Sequence, residues 1–153
     1  MTDAAGRPQP PILRLSYRGG RIPFYNGLVP SSPKRLAVLV VEDDPELRTL
    51  YRTTLSLAGY AVAAVDDGIA ALRYLEADRP DIIVLDLGLP LLRGQDVQRE
   101  VASHAETSDI PILVVTGDTC GLNSADFACI IQKPVDLDAL VRAVERCLRE
   151  ART

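Results

Sequence analysis

At 153 residues, with 47% apolar and 25% charged side chains, the chain has room for one domain with an ordinary core and an appendage. Aromatic residues are few (two Phe, five Tyr, no Trp), so the core is aliphatic, and no apolar run reaches the ~18–20 residues a membrane span needs. Charge is unevenly divided: residues 1–35 hold six Lys or Arg against one Asp, a net of +5, and residues 36–153 hold eleven against twenty, a net of −9, which argues against the body as a nucleic-acid platform.

Residues 1–35 contain six Pro and four Gly, the composition of a linker or tail. No apolar signal-peptide core follows Met1. Within this stretch Leu13, Leu15 and Tyr17 alternate with Arg14, Ser16 and Arg18 ahead of Gly19-Gly20, so Ile12 to Tyr25 can also be read as a hairpin or an added strand. Pro23 weakens the returning arm, and a flexible tail is the preferred reading.

From Leu36 strand and helix patterns alternate. Leu36–Val41 reads as a buried strand; Asp44 caps a helix with Pro45 at its first position, and Gly59 stops it. Tyr60–Val65 is a second strand, and Asp67-Gly68 opens a helix that ends near Asp78–Pro80. Ile82–Leu85 is an apolar run ending at Asp86, followed by a loop forced by Gly88, Pro90 and Gly94. Gln95–Ala105 reads as a third helix, Ile110–Val115 as a fourth strand, Cys129–Ile131 as a fifth and Asp136–Arg149 as the last helix. This order predicts an α/β fold with a doubly wound five-stranded parallel sheet. The stretch from Thr116 to Lys133 is too short for a full crossover helix, leaving room for at most about two turns between Leu122 and Ala128.

Cys120, Cys129 and Cys147 are odd in number and form no C-x-x-C, so neither a disulfide framework nor a zinc site is expected, and a reducing cytoplasm is the simplest setting. Cys129 and Cys147 fall on apolar runs and are assigned to the core; Cys120 falls in a loop. His104 has no partner at ligand spacing and is placed on a helix surface.

In a parallel sheet the carboxyl ends of the strands share one edge, where open α/β sheets hold their ligands. Past these ends stand Glu42 and Asp43, then Asp86, then Thr116 with Gly117, then Lys133 before Pro134. Clustered carboxylates repel unless a cation joins them. A hard divalent ion such as Mg2+ suits oxygen ligands that leave room for water and phosphate oxygens. Lys133 adds a point charge that can pair with Asp86 or a phosphoryl oxygen, Thr116 a hydroxyl and Gly117 an unobstructed amide. The set suits phosphoryl transfer, with Asp86 as the nucleophile.

Val-Val-Glu42-Asp43-Asp44, Leu-Asp86-Leu-Gly-Leu-Pro, Val-Val-Thr116-Gly-Asp and Gln-Lys133-Pro, in this order, resemble the receiver domain of bacterial two-component response regulators across residues 36–150. The resemblance implies a flavodoxin-like receiver fold with a shortened fourth helix. It implies that Asp86 accepts phosphate from a histidine kinase or a histidine phosphotransfer protein. Asp43, Asp86 and the Gly88 carbonyl would bind Mg2+, Glu42 would assist through water, Thr116 would sense the phosphoryl group and Lys133 would hold it. Ile130 stands where many receivers carry a switching Tyr or Phe.

The expected function is a stand-alone signalling module, not an enzyme beyond its own phosphorylation and dephosphorylation. No DNA-binding domain is expected after Thr153, and no membrane partner; its downstream protein target is unnamed, and a homodimer is allowed for. Two other readings stay open. One is a phosphorylation-independent adaptor on the same fold; the other is a small phosphohydrolase-like enzyme, disfavoured by the absence of a phosphate-cradling Gly loop after the first strand.

Overall fold

Short runs of Val, Ile, Leu and Ala form the strands of this chain, whose computed structural model describes residues 33–153. The strands are β1 (Ala37–Val41), β2 (Ala61–Val65), β3 (Ile82–Leu85), β4 (Ile112–Thr116) and β5 (Cys129–Gln132). All neighbours pair in parallel, in the order β2-β1-β3-β4-β5. Stiff β-branched side chains suit a sheet buried on both faces, and every residue of β3 and β4 is buried. The hairpin considered at Ile12–Tyr25 lies outside the described residues.

Successive side chains of a strand point to opposite faces, so the sheet divides the core into two layers. On one face Val38, Val40, Ile82, Val84 and Leu113 pack with Tyr51 and Leu55 of helix α1 (Pro45–Leu57) and Leu140, Val144 and Cys147 of helix α4 (Leu137–Glu150). On the other, Leu39, Val41, Ile83, Leu85 and Val114 meet Ala71 of α2 (Gly68–Ala77) and Val97 and Val101 of α3 (Gly94–Ser103). Truncating a fully buried leucine such as Leu85 is worth roughly 2–5 kcal/mol by the general cost of core cavities.

Helices α1, α2 and α4 start at acidic caps, whereas α3 starts after Arg93 with no side-chain cap. Asp44 accepts the amides of Glu46 and Leu47, each at 2.9 Å, Asp67 that of Ala70 at 2.7 Å, and Asp136 that of Ala139 at 2.9 Å. The end of α1 is closed by Gly59, whose φ of +100° is the left-handed conformation glycine adopts without strain.

The structure adjusts several boundaries. β4 starts at Ile112, not Ile110, because the Ile110 amide is spent on a turn to Thr107 and Pro111 has no amide to donate. Thr116 ends β4 instead of following it, because it pairs with Gln132 of β5. α3 stops at Ser103, where His104 leaves the helix in extended conformation. The crossover from β4 to β5 is shorter than the two turns allowed for the shortened fourth helix: it holds one 3-10 turn, Ser124–Asp126, capped by the Asn123 side chain on the Ala125 amide.

Cys129 and Cys147 are buried and Cys120 is exposed, as their patterns indicated. His104 is exposed, its ring nitrogen 2.9 Å from the Glu100 carbonyl oxygen.

Candidate functional site

Because the strands run parallel, the carboxyl ends of β1, β3, β4 and β5 deliver their next residues to one edge. Glu42 follows β1 directly; its amide donates to Val65 O of β2 at 3.1 Å, which holds its backbone in the sheet. The Asp86 amide donates to Val41 O at 3.0 Å, so the two acidic ends lie side by side. Lys133 follows β5; its amide donates to Thr116 O at 2.8 Å, and its bond to Pro134 is cis.

Lys133 Nζ lies 2.9 Å from Glu42 Oε2 and 3.0 Å from Asp86 Oδ2. Asp43 completes the group: oxygens of Glu42, Asp43 and Asp86 lie within 4.8 Å of one another. Glu42 and Asp86 are buried, Asp43 exposed, so the cluster has a sealed floor and an open rim.

Two unit charges 4 Å apart interact by about 4 kcal/mol at an effective dielectric constant near 20. Lys133 pairs with two of the three carboxylates, Glu42 and Asp86, and not with Asp43. Burial pushes the Glu42 carboxyl above its ordinary range; the hydrogen bond from Lys133 opposes this, and the nearby Asp86 charge reinforces it. For Lys133, burial acts to lower the ammonium's pKa, yet the hydrogen bonds to Glu42 and Asp86 outweigh it and raise the group overall. All three acids offer hard oxygen ligands, with Asp43 open to solvent, a donor set that fits Mg2+.

The remaining residues of the expected site lie around this cluster. Gly88 donates its amide to Asp86 Oδ1 at 2.9 Å, which ties the loop after β3 to the acidic cluster. Thr116 is buried, but its hydroxyl donates to Asp118 O at 3.2 Å and not to the acidic cluster. Ile130 lies in β5 opposite Val114, half-buried against the α3 side of the core.

Two residues of the site went unrecognised in the sequence. Arg48 of α1 sends Nη1 to Glu42 O at 2.9 Å and to Asp43 O at 3.1 Å. Gly94 packs so closely that a β-carbon would lie 2.5 Å from Asp86 O and 2.6 Å from Leu87 Cα. Its sequence signal was its place in a Gly- and Pro-rich loop; the backbone approach depends on how that loop folds back. Arg48 carried no signal, since one arginine on an amphipathic helix reads as a solvated charge.

The profile of the response regulator receiver domain matches residues 38–145. The response regulator MprA of Mycobacterium avium (strain 104) is 35% identical over 125 residues, which cover 76% of this chain and 53% of that protein. The chain thus spans only 47% to 53% of the length of the curated relatives it matches. Among solved structures it resembles the receiver domain of the sensor histidine kinase PA1611 from Pseudomonas aeruginosa PAO1, which has a magnesium ion coordinated in its active-site cleft. Identity is 29%, coverage 75% of this chain and 98% of that one, and TM-score 0.68. The chemotaxis response regulator CheY4 of Vibrio cholerae gives 26%, coverage of 74% and 98%, and TM-score 0.69. Among the described residues no helix is long and apolar enough to cross a membrane. The chain belongs to the response regulator receiver domain family, the signalling modules of two-component systems.

Proposed function

We propose that this chain is switched by phosphorylation of Asp86, and that it receives the phosphoryl group from a histidine kinase or histidine phosphotransfer protein. The observation that carries the reading is Lys133 Nζ set between Glu42 and Asp86, with the Asp43 carboxylate beside them at the open rim. Asp43 and Asp86, with the Gly88 carbonyl, are the groups that would hold Mg2+, and Glu42 would act through water. Bound there, Mg2+ would supply the positive charge that lets an anionic phosphoryl donor approach three carboxylates. Asp86 is the nucleophile: a bond forms from its carboxylate oxygen to phosphorus as the donor's bond to phosphorus breaks. Lys133, already within hydrogen-bond distance of Asp86, is placed to pair with a phosphoryl oxygen.

Thr116 is the reader. Its hydroxyl must leave Asp118 O to meet a phosphoryl group, so the turn it now holds is released. With Ile130 in place of a switching aromatic, the segment from Gly117 to Ala128 is the element whose order changes, and output follows through contacts with a protein target. The signalling unit is residues 36–150 with residues 1–35 as an appendage, so a chain shortened to begin at Pro33 keeps the chemistry. Acetyl phosphate with Mg2+ should add one base-labile phosphoryl group, and Asp86→Ala should abolish it. Labelling that persists in the variant rejects Asp86 as the acceptor. The phosphorylation-independent adaptor reading has less support, since it leaves the buried charges of Glu42, Asp86 and Lys133 without a use.

A further inference from the structure

Arginine is a poor choice for the first turn of a helix, where the macrodipole favours acidic side chains. α1 nonetheless carries Arg48 at its fourth residue, after Glu46. A residue that contradicts a local preference asks for a compensating contact. Here the contact is with the turn before the helix: one guanidinium nitrogen donates to the carbonyl oxygens of both Glu42 and Asp43, at 2.9 and 3.1 Å.

Those two residues are the acidic pair at the end of β1. Their turn is held at other points as well. The Glu42 amide is tied to Val65 O, the Asp44 amide donates to Glu42 Oε1 at 3.2 Å, and the Asp44 side chain is tied to the amides of Glu46 and Leu47. These bonds fix the backbone amides of Glu42 and Asp44 and the start of the helix. None of them holds the Glu42 and Asp43 carbonyls. Arg48 does: it holds the peptide plane between Glu42 and Asp43, and it shares the plane between Asp43 and Asp44 with the bond from the Asp44 amide to Glu42 Oε1. The carboxylate of Asp43, exposed and on the rim, accepts no hydrogen bond among the described residues, so its direction follows from the backbone that Arg48 holds.

We propose that Arg48 is a positioning residue for the acidic pocket: it fixes the orientation of Asp43 and Glu42 toward Asp86 by clamping their carbonyls, and thereby sets the pocket's affinity for Mg2+. The metal part rests on the proposed function above; the clamp itself does not. Outer contacts that orient ligands typically change metal affinity by 10–100-fold when lost. Arg48 donates to carbonyls and not to the carboxylates, so its cation arranges the ligands without occupying their lone pairs.

The test compares the full chain with Arg48→Ala and Arg48→Lys, using amide hydrogen exchange without metal and titration calorimetry with Mg2+ alone. Without metal, Arg48→Ala should speed exchange at Asp44 and the start of α1, while β3 and β4 keep their protection. With Mg2+, Arg48→Ala should bind about tenfold more weakly, at the low end of the range for lost outer contacts. Arg48→Lys, with one ammonium able to reach a carbonyl, should recover part of the loss. A fall in the apparent Mg2+ affinity for phosphorylation by acetyl phosphate should accompany it, with the rate at saturating Mg2+ preserved. Unchanged exchange at Asp44 in Arg48→Ala overturns the clamp. Altered exchange with equal Mg2+ affinity in wild type and Arg48→Ala overturns its link to the metal. A wild-type chain that binds no Mg2+ at all overturns that link too, and marks the metal reading itself as the fault, while the exchange result judges the clamp separately.

Discussion

At the amino-terminal edge of the sheet every carboxylate with a described role has its own donor. Asp81 accepts the Ala37 amide at 2.7 Å, and Asp109 receives Arg79 Nη2 with 2.8 Å to each oxygen. At the carboxyl-terminal edge, Glu42, Asp43 and Asp86 crowd within 4.8 Å of one another around one ammonium. The residue types are the same and the consequences opposite. The lower carboxylates are satisfied and hold strand entries in place. The upper ones share Lys133 in a partly buried setting, an arrangement that costs stability and, on the function proposed above, would serve a cation and a phosphoryl group.

The contrast breaks first at Gly94, where the backbone under Asp86 leaves no space. Gly94→Ala places a β-carbon against main-chain atoms that cannot yield as a flexible side chain would. A loss of roughly 1–3 kcal/mol or more, the usual cost of overpacking, is expected in denaturant unfolding, together with impaired phosphorylation. Wild-type stability for this variant would show that the loop adapts and that the upper edge is not built on close packing.

Glu42→Gln sharpens the comparison. Burial raises the folded-state pKa of Glu42, so the folded protein holds that proton more tightly than the unfolded chain. The stability this confers is complete below the ordinary carboxylate value of 4.5 and is lost as pH rises through the folded value. At neutral pH the ionised group is therefore a net cost. The metal-free variant should melt higher than wild type at pH 7, the gap closing toward pH 4, and should bind Mg2+ less well. Melting scans across this range decide it; a lower melting point at pH 7 contradicts the assignment. Lys133 is also raised, so its contribution is intact below 10.5 and disappears as pH climbs through its folded value, making alkaline unfolding sensitive to Lys133→Ala.

The smallest effect belongs to the lower edge. The hydrogen bond from Arg79 holds Asp109 below its ordinary value, so its contribution is present above pH 3.8 and fades as pH falls through the folded value, opposite in sign to Glu42. The pair is solvent-exposed, and exposed ion pairs contribute little. Asp109→Asn should leave melting nearly unchanged and phosphorylation untouched. Loss of phosphorylation there would erase the distinction between the edges.

Much of this arrangement was legible in the chain because it depends on period and punctuation. Val- and Ile-rich runs ending in Glu42, Asp86, Thr116 and Lys133 place those residues on one edge once the sheet is parallel. Asp44-Pro45 and Gly59 mark the ends of α1 with chemistry that acts locally. What was hidden depends on three-dimensional approach. Arg48 reaches carbonyls before its own helix, Gly94 meets Asp86 O across a loop, and the Thr116 hydroxyl turns to Asp118 instead of the cluster. The β4–β5 crossover was bounded by length, but composition did not separate a short α-helix from the 3-10 turn at Ser124–Asp126.

The central claim is that the upper edge is a cation-dependent phosphoacceptor site built on Asp86. Its most direct test is to treat the chain with acetyl phosphate, with Mg2+ or with a chelator, trap the acyl phosphate by borohydride reduction, and locate the modified residue by peptide sequencing. The account predicts modification at Asp86 alone, and only when Mg2+ is present. Modification at another carboxylate, or equal modification of Asp86 in the chelator, would contradict it.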